Sequence, residues 1–131
     1  MDIVYYYDKK EGNCPVKKYL ESLELEILAT IDAKISFLKE GNGSPAPPIS
    51  FPLKGYNFFE IKNRKNKNTV IRVLYFCHTN RVVLLNAFEK PDNYSSSRVK
   101  KIIKKHYDLT EKCLNNFLLN PNYYEVYKAY K

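Results

Sequence analysis

Apolar residues in the first third of the chain change from strand-like to helix-like spacing. Residues 3–7 are β-branched and aromatic, which predicts a short strand. From Pro15, which suits a first helical turn, apolar side chains recur at helical spacing as far as Leu38. This pattern predicts either one long helix or two helices with a break near residues 24–26. Residues 44–52 contain four prolines and are therefore expected to be irregular.

Three strands and two helices are predicted for the remainder of the chain. The strands span residues 57–62, 69–77 and 81–88, and the short links between them suit an antiparallel meander. A long helix is predicted to begin near residues 95–97, and a final short helix is predicted to span residues 123–130. The apolar face of the long helix is expected to carry Val99, Ile102, Ile103, His106, Leu109, Cys113, Phe117 and Leu118.

The order of these elements predicts the fold class. One strand, one or two helices, three strands and a long C-terminal helix make an α+β domain with a twisted, mainly antiparallel sheet. We expect the helices to pack on one face of that sheet. A length of 131 residues fits a single domain over residues 1–131.

Composition excludes several classes of protein. Hydrophobic residues make up 44% of the chain and charged residues 27%, which is typical of a folded globular domain. No apolar run is long enough to cross a bilayer and no signal-peptide pattern begins the chain, so we expect a cytoplasmic protein with no membrane partner. Three widely spaced cysteines, two histidines and four glycines match no disulfide framework, metal site or phosphate-binding loop. We therefore expect neither a metal nor a cofactor.

The net charge of +8 is concentrated in one part of the chain. Residues 54–105 hold thirteen basic and three acidic residues, whereas the rest of the chain has a slight acidic excess. Such an asymmetry favours a polyanionic partner, nucleic acid above all, and the alternative is a basic face that only interacts with solvent. The long helix would add four lysines to this surface, on the side opposite its apolar face: Lys100, Lys101, Lys104 and Lys105.

Arg72 lies inside a predicted strand between apolar neighbours, where an unpaired guanidinium would be costly. One interpretation is a salt bridge to Glu60 on the neighbouring strand. The other is a fork of donors presented to phosphate oxygens. In the second case, basic and aromatic residues of adjoining segments would supply charge for an RNA backbone and rings for unstacked bases. These residues are Lys54, Tyr56, Phe58, Lys62, Arg64, Tyr75, Lys90 and Tyr94.

Several short segments, in this order and spacing, resemble the RelE/HigB superfamily of bacterial toxin–antitoxin modules, and its HigB-like, phage-derived branch in particular. The segments are Arg72-Val73-Leu74-Tyr75 and the stretch from Val82 through Asn86-Ala87-Phe88-Glu89-Lys90, preceded by Leu53-Lys54-Gly55 and Phe59-Glu60-Ile61-Lys62. The opening Tyr5-Tyr6-Tyr7, followed by Pro15-Val16 before the first helix, is similar to the same branch. The resemblance covers about residues 3–106, so residues 107–131 would be a helical C-terminal extension.

The resemblance implies a small toxin that cuts mRNA, in many relatives on the ribosome, and that thereby inhibits translation. No metal takes part, because the RNA 2′-hydroxyl attacks the adjacent phosphate. Arg72 matches the phosphate-binding strand arginine, Lys62 and Lys90 match neighbouring basic positions, and Tyr94 or Tyr75 would supply a proton donor or a stacking ring. The implied partners are the mRNA, the ribosome and a helix-turn-helix antitoxin encoded next door.

The chain departs from the pattern of the superfamily in three places. Asn86 stands where many relatives have histidine, Pro91 replaces the second basic residue of a Lys-Lys pair, and residues 92–95 replace the usual turn. An active enzyme would have to compensate through Lys54, Arg64 or Tyr94. Two other functions therefore remain open: a non-catalytic protein that binds RNA or the ribosome, and a protein–protein module with a basic face.

Overall fold

The computed structural model describes residues 1–91 and 96–129 of the chain, and these residues have an α+β architecture. The strands are β1 (Asp2–Tyr6), β2 (Ser50–Pro52), β3 (Phe59–Asn66), β4 (Thr69–His78), β5 (Arg81–Pro91) and β6 (Tyr124–Val126). The helices are α1 (Pro15–Glu21), α2 (Leu25–Glu40) and α3 (Ser97–Leu119). The strands form one sheet in the order β2-β3-β4-β5-β1-β6. Only β1 and β5 run parallel, and the other neighbouring pairs are antiparallel.

The predicted meander is confirmed as β3, β4 and β5. The β4–β5 hairpin has a two-residue turn, because His78 pairs with Arg81. Thr79 and Asn80, the two turn residues, have φ angles of 42° and 61°. Two-residue hairpins require such left-handed backbone, because their twist then matches that of the strands. The segment of residues 44–52, predicted to be irregular, ends in the short strand β2, which pairs with β3.

The chain between Pro15 and Glu40 forms two helices, which is one of the two predicted alternatives. The break falls at residues 22–24, slightly before the expected position. The Ser22 backbone N–H and hydroxyl both donate to carbonyl oxygens of the last turn of α1, the hydroxyl to that of Tyr19 at 2.6 Å. These local hydrogen bonds end α1 and allow the chain to turn into α2.

The prediction that all helices pack on one face of the sheet is wrong. Helices α1 and α2 cover one face, where Val16, Ile31 and Ile35 pack against Ile71, Val73 and Tyr75 of β4. Helix α3 covers the other face, where Ile103, Leu114 and Phe117 pack against Leu74 and Phe76. All six residues at positions 71–76 are buried, so both faces of β4 require a cover.

Three residues assigned to the apolar face of α3 are exposed to solvent. Ile102, Leu109 and Leu118 are 47%, 51% and 46% exposed. The face that contacts the sheet is centred on Ile103, Thr110, Cys113, Leu114 and Phe117. A helix of 3.6 residues per turn cannot direct all eight predicted positions to the same surface, so these three lie outside the contact.

The prediction of a final helix over residues 123–130 is also wrong. This segment contains β6, which pairs antiparallel with β1 at the edge of the sheet. Tyr124 and Val126 have high strand propensity, and Pro121 interrupts the helical chain before them. Tyr127 then packs against the ring of Tyr5 and donates a hydrogen bond to the buried Asp32. The helical part of the predicted extension therefore ends at Leu119.

Among the residues that the structure describes, no helix is both long enough and apolar enough to span a membrane.

Candidate functional site

Four basic residues lie at one end of the sheet, on the face covered by α3. Lys62 of β3 pairs with Arg72 of β4, Arg64 pairs with Val70, and Val70 in turn pairs with Lys90 of β5. Because side chains alternate between the two faces of a strand, Lys62, Arg64, Arg72 and Lys90 belong to the face of α3. We call these four residues the cation cluster. The structure thus brings together four of the basic residues that the sequence assigned to an RNA site.

Arg72 forms a buried ion pair with Glu60. Its Nη1 atom donates to Glu60 Oε1 and Oε2 at 2.7 and 2.9 Å. Only 7% of Arg72 and 2% of Glu60 are exposed. The salt bridge, one of the two interpretations of Arg72, is therefore present in the structure.

Tyr107 of α3 closes this ion pair from the helix side. Its hydroxyl accepts from Arg72 Nη1 at 2.9 Å and donates to Glu60 Oε2 at 3.1 Å. Burial, and then the Glu60 charge, raise the pKa of Tyr107, which keeps the phenol protonated. Arg72 Nε is buried without a hydrogen-bond partner among the described residues. The guanidinium therefore has a buried donor still to satisfy, although its charge is already paired.

Lys62 is the member of the cluster that combines exposure with contact to the ion pair. Its ammonium is 3.6 Å from Glu60 Oε1, and 39% of its side chain is exposed. The same ammonium lies 4.6 Å from the centre of the Phe51 ring. Glu60 thus faces two cations, and the three side chains together retain one positive charge.

Arg64 and Lys90 occupy the outer part of the cluster. Arg64 is exposed, and its Nη1 donates to the carbonyl oxygen of Lys67 at 3.1 Å, which holds it against the β3–β4 turn. Lys90 is only 6% exposed. Lys54 is exposed in the turn before β3, between Leu53 and Tyr56, which pack against the core on the α3 side. Tyr94 lies outside the described residues.

Tyr75 does not belong to this site. It lies on the opposite face of the sheet from Arg72, fully buried against the α1–α2 core. Its hydroxyl is 3.1 Å from the Gly43 carbonyl oxygen and from Ser50 Oγ, and burial raises its pKa to about 12. An odd and an even position of one strand face opposite ways, so Tyr75 cannot stack on a base bound near Arg72.

The four lysines predicted as one stripe of α3 lie on two flanks of the helix. All four are exposed, but Lys104 pairs with Asp108 at 3.0 Å on the flank near Tyr56. Lys101 and Lys105 line a shallow groove around Ile102 on a different side. Adjacent helical residues are about 100° apart, so Lys100 and Lys101 diverge, as do Lys104 and Lys105.

Sequence reasoning did not single out Tyr107. Its ring lies between those of Tyr56, Phe58 and Phe88, at centroid distances of 5.3, 6.2 and 5.7 Å. The preceding residue, His106, stacks on Phe88 at 4.3 Å, and burial lowers its pKa. The signal that could have found Tyr107 is its spacing of four residues from Ile103, which places both on the buried side of α3.

A comparison with models of protein families identifies the family of this chain. The family described as "Phage derived protein Gp49-like (DUF891)" matches residues 18–108, from α1 into α3. The chain belongs to this Gp49-like family. It is a RelE/HigB-like toxin family, and it implies an antitoxin partner. No curated protein and no solved structure matches the chain.

The Gp49-like match includes the whole cation cluster and Asn86. Asn86 is 7% exposed, and its amide donates to Thr110 Oγ1 of α3 at 3.1 Å. Thr110 in turn donates to the His106 carbonyl oxygen at 2.8 Å. This hydrogen bond from Asn86 therefore helps to hold α3 on the sheet.

Proposed function

We propose that this Gp49-like protein is the toxin of a toxin–antitoxin module and acts as a metal-independent endoribonuclease on mRNA, inhibiting translation. The observation that carries the proposal is the cation cluster: four basic side chains on three adjacent strands, within the Gp49-like match. A cluster of this kind supplies the positive charge that an RNA phosphate requires.

In the proposed reaction, the 2′-hydroxyl passes its proton to a solvent water and its oxygen attacks the adjacent phosphorus. The bond from phosphorus to the 5′-oxygen breaks, and that oxygen takes up a proton. The products are a 2′,3′-cyclic phosphate and a free 5′-hydroxyl. Negative charge builds up on the phosphate oxygens in the transition state, where fixed cations are most effective.

The cations of the cluster would act at different depths. Lys62 and Arg64 are exposed and would meet the phosphate first. Arg72 lies beneath them and would contribute its donors as the phosphate competes with Glu60 for the guanidinium. Lys90 is proposed as a further catalytic cation, and Tyr94 as the phenolic proton donor. The exposed Lys54, Lys100, Lys101, Lys104 and Lys105 would bind the RNA backbone outside the cut site.

A second function, binding of RNA or the ribosome without cleavage, is favoured by two observations. The Arg72 charge is already paired with Glu60, and the Asn86 carboxamide, which donates to Thr110, is a group that cannot act as a general acid or base. A protein of this kind would bind ribosomes and leave the mRNA intact.

The proposal is tested by induced expression in a bacterium, with growth and mRNA integrity as readouts. Lys62→Ala should reduce mRNA cleavage about 10²-fold, because an exposed cation at the phosphate is lost while Glu60 keeps its Arg72 partner. Lys39→Ala is the matched control, since Lys39 is an exposed lysine of α2 on the other side of the sheet. Growth arrest with intact mRNA would favour the binding function, and equal cleavage by Lys62→Ala and wild type would reject the proposed site.

A further inference from the structure

One flank of α3 combines exposed apolar side chains with cations. Ile102 and Leu109 are 47% and 51% exposed, so the core of this protein does not use them. At 3.6 residues per turn, four exposed basic residues fall within the same arc of about 100°. We call this set the docking stripe: Arg98, Lys101, Ile102, Lys105, Leu109 and Lys112.

The docking stripe borders a groove between α3 and α1. The groove has a volume of about 580 Å³, and Leu109 lies on one wall with Pro15 and Tyr19 on the other. Its floor includes Asn86 and Cys113, which are almost fully buried. A space of this size accepts a large apolar side chain from a partner. A single exposed leucine on a flat surface provides no such pocket.

The spacing of the two apolar residues fits a helix. Ile102 and Leu109 are seven residues apart, or about 10.5 Å along the axis of α3. A partner helix lying beside α3 presents apolar anchors at the same interval, at its own positions i and i+7.

The charges of the stripe define the chemistry of the partner. The stripe contains no carboxylate, and the wall that α1 contributes adds Lys18. Asp8 and Glu11 line the groove too, and the Asp8 carboxylate accepts from the backbone N–H groups of Lys10 and Glu11. An acidic helix would therefore place its carboxylates along α3 rather than near these two residues.

We propose that the docking stripe and its groove bind an acidic amphipathic helix of the antitoxin. This inference rests on the proposed function, because the antitoxin is the partner of such a toxin. A protein fits the stripe better than RNA does, since a phosphate backbone gains nothing from Ile102, Leu109 and an apolar groove. By covering Lys101 and Lys105, the antitoxin would also prevent these two lysines from binding the RNA backbone.

The test uses the purified full chain and, as the probe, the purified antitoxin encoded by the neighbouring gene. Ile102→Ser and Leu109→Ser should each weaken binding about tenfold, and the double variant about 100-fold, without changing the charge. Leu118→Ser is the matched control, because Leu118 is 46% exposed on the same helix but lies outside the stripe. Circular dichroism should show that all variants stay folded, and wild-type affinity should fall as salt rises.

Each outcome has a defined meaning. The inference is supported if the stripe variants bind the antitoxin more weakly while Leu118→Ser binds it as the wild type does. The stripe variants should also still arrest growth when they are expressed without the antitoxin. Antitoxin binding by the stripe variants that equals that of the wild type overturns the inference. If the same variants also bind the ribosome more weakly, the stripe is an RNA surface. Failure of the wild-type chain to bind the antitoxin would contradict the toxin–antitoxin function itself.

Discussion

At the scale of single residues, the buried Arg72–Glu60 pair is the feature on which the candidate site depends. A buried ion pair recovers its desolvation cost only through good geometry and further hydrogen bonds. Here one guanidinium nitrogen contacts both carboxylate oxygens, and Tyr107 bonds to both partners. The pair therefore fixes Arg72 in the sheet and ties α3 to it.

Arg72→Ala should destabilise the fold by about 3–5 kcal/mol, because it leaves the Glu60 carboxylate buried with its main partner removed. Loss of growth arrest in this single variant would therefore not distinguish catalysis from folding. The double variant Arg72→Met/Glu60→Leu replaces the pair by apolar groups of similar volume and should lose less stability than Arg72→Ala, because no buried charge is left unpaired. The loss that remains comes from the Tyr107 hydroxyl, which is left without its two partners. Thermal unfolding followed by circular dichroism measures both variants.

If Arg72 acts on the phosphate, the folded double variant should also lose mRNA cleavage. Full cleavage activity in the folded double variant would show that Arg72 is only structural.

At the scale of elements, the C-terminal segment is part of the fold. Strand β6 covers the edge of β1, and Tyr127 inserts its ring beside Tyr5 and bonds to Asp32, which is 5% exposed. A segment that resembled a helical extension in the sequence thus completes one side of the core.

Tyr127→Phe should lower stability by about 1–3 kcal/mol, because Asp32 loses a buried hydrogen-bond donor while the ring packing stays. Tyr123→Phe is the matched control, since the Tyr123 side chain is 45% exposed and the same atom is removed. Equal melting temperatures of the two variants would show that the Asp32 contact does not stabilise the fold.

The elements differ in how far the sequence could predict them. The meander β3–β5 and the break between α1 and α2 follow from local patterns: alternation, turn residues and helical spacing. The face on which α3 packs depends on contacts between distant segments. The sequence alone does not show whether an isoleucine or a leucine, such as Ile102 or Leu109, is covered by the core. Strand β6 forms by pairing with the edge of β1, and the local sequence of residues 123–130 does not show that such an edge is available. Similarly, the sequence predicts that Arg72 lies in a strand among apolar neighbours. It does not predict whether the guanidinium pairs with Glu60 or binds a phosphate.

At the scale of the whole molecule, buried and half-buried tyrosines make stability depend on pH. Burial is the largest cause that raises the pKa of seven tyrosines among the described residues: Tyr5, Tyr6, Tyr19, Tyr56, Tyr75, Tyr107 and Tyr127. A phenol with a raised pKa keeps its proton in the folded chain at a pH where the unfolded chain loses it. Their contribution to stability is therefore complete below the ordinary tyrosine pKa of about 10 and falls above it.

We therefore expect cooperative alkaline unfolding that begins above about pH 10, with these tyrosines ionising as the chain unfolds. Tyrosine absorbance and far-ultraviolet circular dichroism, recorded on the same samples, should change together. Ionisation of these phenols at a lower pH than the loss of structure would contradict the packing described for them.

The proposed reaction of this Gp49-like protein depends on the RNA 2′-hydroxyl at the cut site. The most direct test supplies a purified translation system with two mRNAs that differ only by a 2′-deoxy nucleotide at that position. Attack by the 2′-hydroxyl should cleave the all-ribose mRNA to a 2′,3′-cyclic phosphate and a free 5′-hydroxyl, and should leave the deoxy mRNA uncut there. Cleavage of both mRNAs at the same rate, or of neither, would contradict it.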